Sequence, residues 1–102
     1  MEYTEIRLYA GSGFYEDEDI KIFILKNQIC LIECTFEHSS GERFGLRHVL
    51  NEKDAQKFLD YLGAGEESSF EVLKEKLSGK DAVKKFKKYC EDHSIQYVSY
   101  IL

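Results

Sequence analysis

The chain has 102 residues, a formal net charge of −5, 43% hydrophobic and 32% charged residues, and no proline. This length and composition predict one globular domain over residues 1–102 and exclude a disordered or fibrous chain. No apolar run approaches the roughly 20 residues of a membrane-spanning helix. The N-terminal segment MEYTEIRLYA also lacks the basic and apolar regions of a signal peptide. We therefore expect a cytoplasmic protein with no membrane partner.

The first half of the chain alternates apolar and polar residues with a period of two, which is typical of β-strands. Four such runs follow one another: TEIRLYA, DIKIFILK, QICLIECTFE and FGLRHVL. Short connections between consecutive strands favour an antiparallel meander. We place Cys34 and His48 on the core face of this sheet. The opposite face is expected to be a polar and aromatic surface, made of Arg7, Tyr9, Lys21, Phe23, Glu33, Thr35 and Arg47.

The second half has apolar residues at helical spacing in three segments, the first of which begins after a possible N-cap, Asn51. The final segment, SIQYVSYIL, is rich in β-branched and aromatic residues and predicts a fifth strand. We expect so apolar a strand to be paired inside the sheet, because an open edge of this kind invites aggregation. The predicted fold class is α+β, with an antiparallel sheet of about five strands and three helices on one of its faces.

Catalytic and metal-binding signatures are lacking in the sequence. No G-x-S-x-G, HExxH or Cys-x-x-Cys pattern occurs, and no ligand pair has a standard zinc spacing. We therefore predict no catalytic residue, no metal, no cofactor and no enzymatic activity. The odd number of cysteines and their spacing predict three reduced thiols, and His48 is expected to be a hydrogen-bonded core histidine. One alternative remains open, a Cys34–His48 pair across neighbouring strands.

The stretch GSGFYEDEDI, residues 11–20, places two aromatic residues and four consecutive acids between two predicted strands. A phosphate-binding loop is excluded because no helix follows the glycines and the acids would repel phosphate. An EF-hand is excluded because the acids are contiguous. Adjacent aromatic residues beside charges are typical of interface anchors, although a solvated charge run is the alternative. The predicted partner-binding residues are Phe14, Tyr15, Glu16, Asp17, Glu18 and Asp19, with a second acidic loop tip at Glu66 and Glu67.

Residues 74–88 carry seven lysines and two acids, a net charge of +5, which leaves −10 for the rest of the chain. A lysine-rich helix can bind nucleic acid. This segment has no arginine, however, and the remaining charge opposes nucleic-acid binding. We expect the lysines to line the solvent face of a helix, and we predict no nucleic-acid partner.

An acidic domain without catalytic signatures is most simply a binding protein for a basic partner. The leading hypothesis is a small bacterial or phage-type inhibitor that blocks a basic, nuclease-like target. It would be an immunity protein that neutralises a toxin, or an anti-defence protein. The alternative is a regulatory or structural interaction module, or a homodimer that pairs through its sheet face. A third hypothesis is a small hydrolase or ligand-binding domain that uses Cys34 and His48.

Overall fold

The computed structural model describes residues 3–25, 28–61 and 69–102. Its elements are β1 (Tyr3–Ser12), β2 (Glu16–Leu25), β3 (Gln28–Glu37), β4 (Arg43–Leu50), α1 (Glu52–Tyr61), α2 (Ser69–Leu77), α3 (Ala82–Asp92) and β5 (Val98–Ile101). The five strands form one antiparallel sheet in the order β1-β2-β3-β4-β5. This arrangement confirms the α+β class, the four-strand meander and the C-terminal strand.

The core lies between the helices and one face of the sheet, which we call the helix face; the other is the open face. On the helix face, Ile22 pairs with Leu31 in register, and both side chains are buried. Helix residues pack over them, and the ring centroids of Phe58 and Phe86 lie 5.4 Å apart. Helix α1 begins at the expected cap, where the Asn51 side-chain oxygen accepts the backbone N–H of Asp54 at 2.9 Å.

The side chains of β3 lie on the opposite faces of the sheet from those predicted from the sequence. Leu31 pairs with His48, and residues opposite each other in register lie on the same face. Cys34 therefore lies on the open face, whereas Glu33 and Thr35 lie on the helix face. The proposed Cys34–His48 pair is wrong, because the two side chains are on opposite sides of the sheet. The error arose because both faces of the first half of β3 are apolar.

Tyr9 also departs from its predicted position on the open face. A register shift between Arg7 and Tyr9 gives β1 an extra residue relative to β2, so that Tyr9 pairs with Ile20. The extra residue reverses the alternation of side chains, and the Tyr9 ring packs against the core. A bulge of this kind leaves no mark on the apolar-polar pattern of TEIRLYA.

The position of β5 contradicts the expectation that it is paired on both sides. Among the strands that the structure describes, it hydrogen-bonds only to β4, and it forms one edge of the sheet. Ile101 is 86% exposed, so the apolar composition of β5 does not reflect burial in the core of the protein. Apolar composition indicates either an interior strand or an interface, and the sequence alone does not distinguish them.

Candidate partner-binding surface

The turn between β1 and β2 projects two aromatic side chains into solvent. Phe14 is 87% exposed and Tyr15 is 75% exposed. Their ring centroids lie 4.9 Å apart in an edge-to-face arrangement. The backbone N–H of Gly13 donates to the carbonyl oxygen of Glu16 at 2.7 Å and closes the turn. A Cβ at Gly13 would lie 2.9 Å from that same oxygen, so the closed turn requires glycine.

The four consecutive acids are part of strand β2, which begins at Glu16, and not of the loop as predicted. Because side chains alternate along a strand, Asp17 and Asp19 lie on the open face and Glu16 and Glu18 on the helix face. The Asp19 carboxylate lies 3.3 Å from Arg7 Nε and is thereby neutralised within the chain. The four acids therefore do not surround the aromatic pair as one ring.

The hairpin between β3 and β4 lies beside the aromatic turn. The backbone N–H of His38 donates to the carbonyl oxygen of Tyr15 at 2.9 Å. Its ring extends between the two hairpins, with Nδ1 3.2 Å from the carbonyl oxygen of Phe14 and Nε2 3.1 Å from Asp17 Oδ1. Sequence analysis missed His38 as a site residue, because the pairing of the two hairpins is a property of the assembled sheet.

A row of three glutamates crosses this end of the sheet. Glu16 pairs with Glu37 in the register of β2 and β3. Glu37 in turn donates its backbone N–H to the carbonyl oxygen of Glu42 at 2.9 Å across the next hairpin. Like charges opposite each other on neighbouring strands destabilise a sheet. We call residues 13–18 and 37–42 together the acidic tip.

The second acidic loop predicted from the sequence, Glu66 and Glu67, lies outside the described residues. The acidic tip as described therefore consists of two hairpins. Of the predicted residues, it contains Phe14, Tyr15, Glu16, Asp17 and Glu18. Asp19 lies beyond it, in its ion pair with Arg7.

His48 is fully buried and hydrogen-bonded, as expected for a core histidine. Its Nδ1 lies 2.7 Å from Ser99 Oγ, and its Nε2 lies 3.3 Å from Glu33 Oε2. Many hydrolases have a serine, a histidine and a carboxylate hydrogen-bonded to one another in this order. Nucleophilic catalysis also requires a substrate cleft and donors for the developing oxyanion. The groove that Glu33 lines includes neither His48 nor Ser99. The contact with Ser99 joins His48 on β4 to the neighbouring strand β5.

The open face of the sheet carries an apolar groove of about 450 Å³. The residues that line it are Phe23, Leu25, Gln28, Cys30, Ile32, Arg47, Val49 and Tyr100. The Arg47 guanidinium lies 5.0 Å from the centroid of the Tyr100 ring. Burial raises the pKa of the Cys30 thiol, against the opposite effect of Arg47.

The lysines of α3 are mostly at the surface, with two of them in ion pairs along the helix. Lys85 lies 3.3 Å from Asp81, and Lys88 lies 3.3 Å from Asp92. Lys84 lines a groove of about 550 Å³ together with Glu18 and Glu33. This groove has mixed charge and does not form a continuous cationic surface of the kind that binds a phosphate backbone.

Among residues 3–25, 28–61 and 69–102, no three His, Cys, Asp or Glu side chains are grouped so that they could hold a metal ion. The helices in these same ranges are all too short or too polar to cross a membrane. No family model, curated protein or solved structure matches the chain.

Proposed function

We propose that the protein is a small acidic inhibitor that binds a basic, nuclease-like protein through its acidic tip. The observation that carries this proposal is the exposure of Phe14 and Tyr15, 87% and 75%, at the end of a closed turn beside the three-glutamate row. Exposed aromatic residues are the common anchors of protein interfaces. The glutamates supply the negative charge that complements a cationic target.

The contacts that join the two hairpins of the tip support the same function. The two hairpins are joined by backbone and side-chain contacts of His38. An anchor that is already ordered loses less conformational entropy on binding. The glutamate row is unfavourable in the free protein, and a cationic partner would relieve the repulsion. A basic partner would therefore add its positive charge at the place where these carboxylates face each other.

An immunity protein against a toxin nuclease, or a phage-type anti-defence protein, is the class of inhibitor that fits these properties. Such a protein needs only a complementary surface that covers the target's cationic site. The neutralised target would be expected to carry excess lysine and arginine around its own active site. Negative charge on the inhibitor also increases the rate of association.

The test is affinity capture from the native host with wild-type protein and, in parallel, with the Tyr15→Ala variant. The expected result is one basic protein that wild type retains and the variant loses. Its nucleic-acid cleavage should be inhibited at one-to-one stoichiometry by wild type. Capture of an acidic partner, or equal capture and inhibition by Tyr15→Ala, would contradict the proposal.

A second candidate, a regulatory or structural interaction module, is favoured by the apolar groove of the open face. Its position on the sheet separates it from the acidic tip, so the two surfaces can be tested independently. Substitution of Ile32 by Glu places a charge in this groove. Loss of partner binding in Ile32→Glu with normal binding in Tyr15→Ala would favour the open face over the tip.

A further inference from the structure

The two edges of the sheet are protected to different degrees against pairing with another strand. The β1 edge has a register shift at Arg7/Tyr9, an exposed Glu5, and a Leu8 carbonyl oxygen that accepts the N–H of Gly79 at 3.0 Å. Bulges, charges and covering segments are the features that prevent strand pairing at an edge. The β5 edge lacks all three in its described pairing with β4, since residues 95–102 carry no charge and the register is continuous.

Exposed apolar side chains concentrate on this unprotected edge. Of the eight large apolar side chains that are exposed among the described residues, four belong to residues 98–102. They lie on both faces of the strand, with Val98 and Tyr100 on the open face and Ile101 on the helix face. Apolar surface of this kind marks an interaction site.

The backbone at this edge also has unpaired groups. The N–H of Leu102 donates to the carbonyl oxygen of Gly45 at 3.1 Å. Because hydrogen-bonded pairs alternate along an antiparallel ladder, Tyr100 and Val98 likewise direct their backbone groups towards β4. Ser99 and Ile101 therefore direct their N–H and C=O groups outwards, and these groups have no partner among the described residues.

We propose that β5 pairs with the β5 strand of a second copy of this chain. The two strands run antiparallel, with Tyr100 opposite the partner's Tyr100 at a two-fold axis perpendicular to the sheet. Ser99 then faces the partner's Ile101, and Ile101 faces the partner's Ser99. These two pairs use all of the outward N–H and C=O groups of both residues and form one ten-stranded sheet.

The residues of this edge favour a second copy of the chain as the pairing partner. In the two-fold register, residues 98–102 are opposed only by themselves, and because they are uncharged no like-charged pair arises. An aromatic pair forms at the axis, and each Tyr100 ring keeps its own Arg47 guanidinium, 5.0 Å from the ring centroid within the protomer. The perpendicular two-fold also places the two acidic tips at opposite ends of the joined sheet, so the mutual repulsion of the tips is small.

The dimer is independent of the proposed inhibitory function, because both acidic tips remain free.

The first test is the molar mass in solution, by light scattering after gel filtration, over a wide concentration range. Wild type should form a dimer, and Ile101→Lys should be monomeric. Phe14→Lys is the matched control, because Phe14 is as exposed as Ile101 but lies in the tip. Ile32→Glu controls for pairing through the open face. Both controls should remain dimeric.

Amide hydrogen exchange gives a second test that needs no variant. In the dimer, the amide protons of Ser99 and Ile101 should be protected, and dilution should remove their protection while Tyr100 stays protected by β4. A wild-type monomer at every concentration, a dimer that survives Ile101→Lys, or fast exchange of Ser99 and Ile101 within the dimer would each overturn the proposal. Loss of the dimer in Ile32→Glu alone would assign pairing to the open face instead.

Discussion

Glu16 lies directly opposite Glu37 in the register of β2 and β3, at the end of the sheet where Phe14 and Tyr15 project into solvent. The only polar side-chain contact of Glu37 among the described residues is with the Ser39 hydroxyl, which donates to Oε1 at 3.0 Å. Carboxylates that face each other without a cation repel, and the repulsion is weaker when salt screens it. This arrangement leads to a stability prediction that needs no partner.

The Glu37→Gln variant should be more stable than wild type. Removal of one charge from the row relieves the repulsion with both Glu16 and Glu42, and we expect the free energy of unfolding to rise by about 0.5 kcal/mol. Urea denaturation at low and high salt measures the change. The gain should disappear in high salt, and Glu75→Gln on α2, between Lys74 and Lys76, should give no gain. Destabilisation by Glu37→Gln would show that the row is not repulsive.

The Ser99 hydroxyl should contribute to stability through His48. Ser99→Ala leaves the buried Nδ1 without its 2.7 Å partner, and an unsatisfied buried polar group costs about 1–3 kcal/mol. Ser99→Thr keeps a hydroxyl and is the matched control. Thermal or urea unfolding measures the loss, and faster amide exchange of Tyr100 would locate it at the β4–β5 ladder. Equal stability of Ser99→Ala and wild type would mean that the contact contributes nothing.

The three thiols should react at very different rates. All three cysteines are free, with Cys30 and Cys90 buried and Cys34 half-buried on the open face. A thiol reagent should modify Cys34 first, and the other two only after unfolding. Partner binding should survive Cys34→Ala in folded protein. Rapid modification of Cys90 in the native state, or selective loss of binding in Cys34→Ala, would contradict the structural role assigned to these residues.

Alkaline pH should destabilise the protein partly through Cys90. Burial raises the pKa of this thiol to about 12 in the folded state, whereas an unfolded thiol has a pKa of about 8.5. Between these two values the unfolded chain releases a proton that the folded chain retains, so stability falls as pH rises. The measurement is urea denaturation across this range. Cys90→Ala should show a shallower decline than wild type, and equal slopes would refute this linkage.

The sequence predicted the elements of the fold well, because local patterns determine them. The cap at Asn51 and the helix that follows it are readable from residue types and spacing alone, and the structure has both. The face of the sheet on which each side chain lies was less predictable. Cys34 and Glu33 were assigned to the wrong faces, because β3 is apolar on both sides and only its register with β4 decides between them.

Only part of the acidic tip could be predicted from the sequence. The exposure of Phe14 and Tyr15 follows from their place in a short turn, and the structure confirms it. The contribution of His38 and Glu37 could not be predicted, because it depends on which hairpins become neighbours in the sheet. Asp19 was assigned to the site on charge alone, whereas its partner, Arg7, lies on the adjacent strand.

Nucleic acid should not bind at physiological ionic strength. Ion pairs along α3 engage Lys85 and Lys88, and the groove lined by Lys84 also contains Glu18 and Glu33. Fluorescence anisotropy with labelled duplex and single-stranded oligonucleotides is the measurement. We expect no saturable signal, and micromolar affinity that weakens steeply with added salt would contradict this prediction.

The most direct test of the central claim is the kinetics of association with the captured partner as a function of ionic strength. The tip variant Glu16→Gln/Glu37→Gln/Glu42→Gln is compared with Glu71→Gln/Glu75→Gln/Glu91→Gln, which removes the same charge from the helices. The tip variant should associate more slowly and with a flatter salt dependence, whereas the helix variant should behave nearly as wild type. In the same assay, Tyr15→Ala should mainly accelerate dissociation, at a cost of about 2 kcal/mol in binding. Wild-type rate constants for both the tip variant and Tyr15→Ala would contradict the claim that the acidic tip binds a basic partner.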